Sequence, residues 1–161
     1  MKMFRVTIAA AALVASVVAG GALAGSSKVV PFAASYSGNA TTKIADNVAT
    51  ISATGTGKGT FVGASSISGL GTGDTSQQPC VPFTGTGLIS GTGATKLSFK
   101  VIPGSSACGD EAGEIFAISG HAIVTKGTGK LAKAKGTLKL TGTYDHTSGA
   151  FSVKFFGSLK V

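Results

Sequence analysis

Tryptophan is absent from this 161-residue chain, cysteine, histidine, tyrosine and methionine occur twice each, and proline four times. Acidic residues number six against fourteen basic ones, and the only arginine is Arg5. Each shortage excludes something. Without arginine beyond residue 5, bidentate reading of phosphates or guanine edges has no side chain to use, which argues against nucleic acid as a partner. Two histidines and two cysteines, with no Cys-x-x-Cys, fall short of the spaced ligand sets of zinc sites, so no metal or cofactor is expected. There is also no heptad and no long stripe with helical spacing, so a helical bundle is excluded.

What the chain does have is glycine, 25 residues of it, together with many serines and threonines. Its first segment is different. Lys2 and Arg5 form a basic head, Val6 to Gly21 is uncharged and made of small and apolar residue types, and Ala22-Leu23-Ala24 offers small residues where a signal peptidase cuts. The pattern predicts a cleaved secretory signal peptide over 1–24 and a domain over 25–161, secreted or periplasmic, with no transmembrane segment in the mature chain. In an oxidising compartment Cys80 and Cys108 are expected to pair. Both sit in loop-like settings, Gln77-Gln78-Pro79-Cys80-Val81-Pro82 and Gly104-Ser105-Ser106-Ala107-Cys108-Gly109, so the bridge is expected to staple two loops.

After the leader, apolar and polar residues alternate in short runs between turn signals, which predicts strands. Eight are read: Phe32–Ala40, Val48–Thr54, Thr60–Leu70, Phe83–Ser90, Lys96–Ile102, Glu114–Thr125, Gly136–Tyr144 and Ala150–Leu159. The sixth is apolar on both faces and reads as central. Asp145-His146-Thr147-Ser148-Gly149 reads as a hairpin loop, and Gly91-Thr92-Gly93 joins the fourth and fifth strands. Gly-Thr-Gly recurs at 55–57, 71–73, 85–87, 91–93 and 127–129, at spacings too irregular for a solenoid. The expected fold is all-β, a single antiparallel eight-stranded barrel, because closure removes exposed edges and glycine allows tight curvature. A β-sandwich is the alternative.

The segment Gly127-Thr128-Gly129-Lys130-Leu131-Ala132-Lys133-Ala134-Lys135-Gly136, followed by Thr137-Leu138-Lys139-Leu140-Thr141-Gly142-Thr143, resembles a turn-plus-strand signature of allene oxide cyclase and dirigent barrels. The likeness is strongest to small exported bacterial proteins with such a domain. It implies an eight-stranded barrel around an apolar cavity, and trimers are known among the plant members, so a homo-oligomer is a possible state. Lys126 and Leu131 depart from the signature, and no catalytic residue carries over.

Among candidate sites, Gly55-Thr56-Gly57-Lys58-Gly59-Thr60 and Gly127-Thr128-Gly129-Lys130-Leu131 lack the Ser or Thr that follows the lysine of a phosphate loop, and read as turn glycines. His121 is the candidate polar residue of a pocket, provided that it points inward. Asp110, Glu111 and Glu114 read as a solvated acidic turn rather than a Ca²⁺ loop. The charge is uneven: residues 126–161 carry seven lysines against Asp145 alone. Lys126, Lys130, Lys133, Lys135 and Lys139 form the candidate patch for an anionic glycan or lipid surface. The expected function is a binding module that holds a small apolar molecule or docks on such a surface. The alternatives are a cyclase- or dirigent-like enzyme that steers a reactive apolar intermediate, and a structural envelope-associated protein.

Overall fold

Residues 27–161 are described by the computed structural model, and the signal peptide expected over 1–24 lies outside them. The strands are β1 (Val29–Ala45), β2 (Val48–Gly59), β3 (Gly63–Asp74), β4 (Cys80–Ser90), β5 (Lys96–Val101), β6 (Ser106–Gly109), β7 (Ile115–Gly127), β8 (Thr137–Asp145) and β9 (Ala150–Lys160). Among the described residues a single 3₁₀ turn, Gly129–Leu131, interrupts the β7–β8 connection. No helix among the described residues is long and apolar enough to cross a membrane.

Apart from β5 and β6, consecutive strands pair antiparallel, and β9 pairs with β1 over eleven residues, from Val29↔Lys160 to Asn39↔Ala150. β5 and β6 are two halves of one stave, since both lie between β4 and β7. The result is a closed eight-stranded up-and-down barrel, and the two facing layers of a sandwich are absent. Closure explains why the chain needs no protected edge: each strand has a partner on both sides.

The alternation seen in the sequence sets which side faces the lumen. Along β1 Val30, Phe32, Ala34 and Tyr36 are buried while Ala33, Ser35, Ser37 and Asn39 are exposed, and a one-residue slip would exchange the two sets. Turns follow their residue types. Asp46 and Asn47 both take positive φ (49° and 61°), as a two-residue hairpin with the right twist requires. At the last hairpin the Asp145 carboxylate accepts from the backbone N–H groups of Thr147 and Ser148 at 2.8 and 3.0 Å.

Three expectations are corrected. Cys80 and Cys108 are not on loops: they stand opposite each other in the β4–β6 ladder, 3.9 Å apart at Cα, and are bridged. Gly55, Gly57 and Gly59 are not turn glycines but inward positions of β2. The sixth candidate strand, now β7, is not central, because a closed barrel has no centre. Its Ile115 and Ile123 are each 42 % exposed on the outer wall.

The break between β5 and β6 is held by Ser105, which is 1 % exposed. Its hydroxyl donates to the Ile102 carbonyl at 2.9 Å and accepts from the His121 N–H at 3.1 Å, so two backbone groups freed by the interruption are satisfied by one side chain.

Candidate functional site

Alternate connections of an up-and-down barrel share an end. One end carries the hairpins at 46–47 and 146–149 and the loops at 75–79 and 110–114; the other carries both described termini and the connections 60–62, 91–95 and 128–136. These ends are called the mouth and the base. The base is filled: Val62, Ile89, Leu97, Leu131, Leu138 and Leu159 have no exposed surface. Leu131 and Ala134 come from the β7–β8 connection, which folds across the opening as a plug.

Above this layer lies a tier of rings. Phe99 and Phe155 meet at 5.0 Å between centroids with their planes tilted by 58°, and Tyr36 meets Phe155 edge-on at 6.4 Å. The Tyr36 hydroxyl is hydrogen-bonded to Ser65 at 2.9 Å. Burial pushes its pKa above the usual tyrosine value, and the Ser65 hydrogen bond offsets this in part. Tyr36 and Phe99 lie over the glycines paired with them on the adjacent strands, Gly57 on β2 and Gly87 on β4. A Cβ on Gly57 would lie 2.8 Å from Tyr36 Cδ1, and one on Gly87 would lie 2.8 Å from both Cε atoms of Phe99. Only residues without side chains fit beneath these rings.

Towards the mouth lies a cavity of about 190 Å³, with Phe83, Tyr144 and Phe151 also in its wall. Its floor is Phe99, Phe155 and Leu140, and much of its wall is small: Ala40, Ala53, Gly69, Gly71, Gly85 and Ala107. Tyr144 is the only ionisable side chain in its lining, and its hydroxyl is bonded to that of Thr42 at 3.0 Å near the rim. No carboxylate, imidazole or amine lines it. The space is comparable to an engineered apolar cavity of roughly 150 Å³ that binds benzene.

His121 is corrected as a pocket residue. It is exposed, while its neighbours Gly120 and Ala122 are buried, so its side chain is on the outer wall. The condition that it points inward is not met, and the sequence could not decide it because β7 is apolar on both faces. A shallow concavity of about 530 Å³ also lies on the outer wall over β2 to β5 and β7, rimmed by hydroxyls of Ser52, Thr54, Ser68, Thr86, Ser98 and Thr125.

The lysines separate into groups. Lys126, Lys130, Lys133 and Lys135 are exposed at the base, whereas Lys139 stands on the outer wall of β8 with Nζ 5.7 Å from the Phe156 ring centre. The topology adds Lys28, Lys58, Lys96 and Lys160 to the base, all exposed. These four were missed because they are scattered over the sequence; the signal was the meander itself, which returns every second connection to one end.

All six Asp and Glu side chains are at the mouth: Asp46, Asp74, Asp110, Glu111, Glu114 and Asp145. Several close their own loops. Asp110 accepts from the N–H groups of Glu114 and Ile115 at 2.9 and 3.3 Å. Asp74 accepts from the Ser76 hydroxyl at 2.6 Å, from the Ser76 N–H at 3.0 Å and from Gln77 at 3.2 Å. The Ser76 bonds, hydroxyl first, hold Asp74 below the usual carboxylate range, and bonds from Ser148 lower Asp145. Comparison with family models, with curated proteins and with solved structures gave no match.

Proposed function

We propose that the barrel is a binding module that holds a small apolar molecule in the mouth half of its lumen. The observation that carries this reading is the cavity of about 190 Å³, open among small residues above a floor of aromatic rings. Burying apolar ligand surface there would supply about 25 cal/mol per Å², and the Thr42–Tyr144 pair is the polar feature able to orient a ligand. The enzyme alternative finds less support. General acid–base work on an intermediate would need a titrating group facing the cavity, and only a tyrosine does.

The kinship with allene oxide cyclase and dirigent barrels is part of the same proposal. It is supported by the eight-stranded antiparallel architecture and by the place of the matching segment, a turn that enters β8. Function outside the cytoplasm is likewise proposed, and the Cys80–Cys108 bridge supports it.

The test is native mass spectrometry of protein purified from its own host, followed by titration with N-phenylnaphthylamine, a neutral fluorescent apolar probe. A copurified apolar mass and saturable probe fluorescence are expected, and Ala53→Phe, which puts a ring into the cavity, should abolish the signal while the melting temperature holds or rises. Equal fluorescence in both proteins, or none in either, would overturn the reading.

A further inference from the structure

The barrel is polarised: eight exposed lysines gather at the base with no acidic side chain among them, while all six Asp and Glu side chains are at the mouth. The two ends are well separated. β2 runs the full height with 12 residues, and at about 3.3 Å per residue and a tilt of about 40° this gives roughly 30 Å. That is nearly four Debye lengths of about 8 Å at physiological ionic strength, so the mouth acids do not screen the base.

The base also exposes apolar side chains, as the mouth does at Ile44, Val48 and Ile115. Val29, at the start of β1, is 65 % exposed, and Phe61, at the β2–β3 hairpin, is 36 % exposed. The backbone at Phe61 is at φ 66° and at Lys133 at φ 64°, both in the left-handed region that disfavours large side chains. Elsewhere the chain meets that demand with glycine, as at Gly63, Gly93, Gly104, Gly113 and Gly149, or with Asp46 and Asn47, residue types that tolerate it. The two positions where a costly residue is kept are therefore an exposed phenylalanine and an exposed lysine at the same end. An outlier of this kind points to a role outside folding.

We propose that the base is a docking surface for an anionic lipid bilayer, with the lysines drawn to the headgroups and Phe61 and Val29 entering the interfacial layer. The proposal goes beyond the lumen reading and does not depend on it. Charge complementarity argues for an anionic partner, and the exposed apolar pair favours lipid over polysaccharide, which offers no apolar phase to receive them. The polarity also fixes the orientation, because the acids are repelled by the surface that attracts the lysines. The mouth faces away from the bilayer.

The experiment is flotation of the chain from Gly25, whose barrel closes on itself through β1 and β9, with vesicles of phosphatidylcholine alone or with 30 % phosphatidylglycerol. Binding to the anionic vesicles only, and its loss at high salt, are expected. Each lysine near a charged surface contributes about 1 kcal/mol, about fivefold in affinity, so combined K130A, K133A and K135A should weaken binding about a hundredfold. Phe61→Asn, which suits positive φ, should weaken binding about tenfold with the melting temperature retained. Fluorophores on Glu111→Cys and Ala132→Cys read the orientation: quenching by nitroxide-labelled lipid should affect the Ala132 position alone. Equal binding to neutral vesicles, full binding by the lysine variant, stronger quenching at the mouth, or binding to dextran sulfate without binding to vesicles would each overturn the proposal.

Discussion

Gly69 and Gly87 face each other across the β3–β4 ladder and both point into the lumen, yet the same substitution should have opposite effects at the two. At Gly87 an added Cβ would sit 2.8 Å from both Cε atoms of Phe99, so the ring must move. Phe155 lies against it at 5.0 Å, which leaves the cavity as the direction of escape. Gly87→Ala should therefore cost about 1–3 kcal/mol, the usual range for overpacking. At Gly69 the nearest atom to the added Cβ is the Thr86 carbonyl oxygen at 3.4 Å, an ordinary contact. Gly69→Ala should be neutral or stabilise by about 0.4–1 kcal/mol, since the unfolded chain loses freedom that the strand does not need. Urea unfolding of both variants measures the difference, and in the cycle with Phe99→Leu most of the Gly87→Ala cost should vanish. If Gly87→Ala were no worse than Gly69→Ala, or the cost survived in Phe99→Leu, the ring would not be lying on Gly87 and the account of the lumen would fail.

Other consequences can be measured on the same protein. Replacing Cys80 and Cys108 by alanine opens a link between residues 28 apart in sequence and should cost about 3–4 kcal/mol in urea unfolding, with the first loss of amide protection in β6; a cost below about 1 kcal/mol would show that the ladder alone holds this stave. Asp74 and Asp145 have pKa values below the unfolded carboxylate range, so their stabilising effect is complete above that range and is lost as pH falls through the depressed folded values. The melting temperature should fall on acidification through and below about pH 4, and D74N with D145N should flatten that fall; an unchanged slope in the double variant would refute the assignment.

Much of the barrel was legible because alternation is local. Lys96–Ile102, Gly136–Tyr144 and Ala150–Leu159 needed only their own residues to be placed, and each lies within about a residue of the observed strands. What could not be read were segments whose strand character comes from the strands beside them. Gly55, Gly57 and Gly59 lack any β-forming side chain, and they extend β2 because Tyr36, Phe151 and Ala34 take up the space where their own side chains would be. The prolines, serines and glycines around Cys80 and Cys108 have turn composition, and there the β4 and β7 partners impose β6 on four residues. His121 failed for a third reason. Its strand has alanine and isoleucine on both faces, and the phase is set by Gly120, where an added Cβ would approach the Ser105 Cα to 3.0 Å. The candidate cavity was readable only as an abundance of small residues, since the same glycines serve both to admit rings and to leave space.

That ambiguity has a physical resolution in which glycines the rings cover. Tyr36 on β1, Phe99 on β5 and Phe155 on β9 project towards the thin wall made by β2, β3 and β4, and cover Gly57 and Gly87. Nearer the mouth the wall continues as Gly69, Gly71 and Gly85, all bordering the cavity. The cavity is thus bordered by the stretch of this wall that Tyr36, Phe99 and Phe155 leave uncovered, with Phe83, Tyr144 and Phe151 around it. Leaving about 190 Å³ unfilled forfeits as much as about 4–5 kcal/mol at roughly 24 cal/mol per Å³, against a total stability of about 5–15 kcal/mol for a domain of this kind. A single phenylalanine at Ala40 or Ala53 would recover part of it. A chain that tolerates such a deficit at its open end, while filling the base completely, has the distribution of packing expected when the space is used.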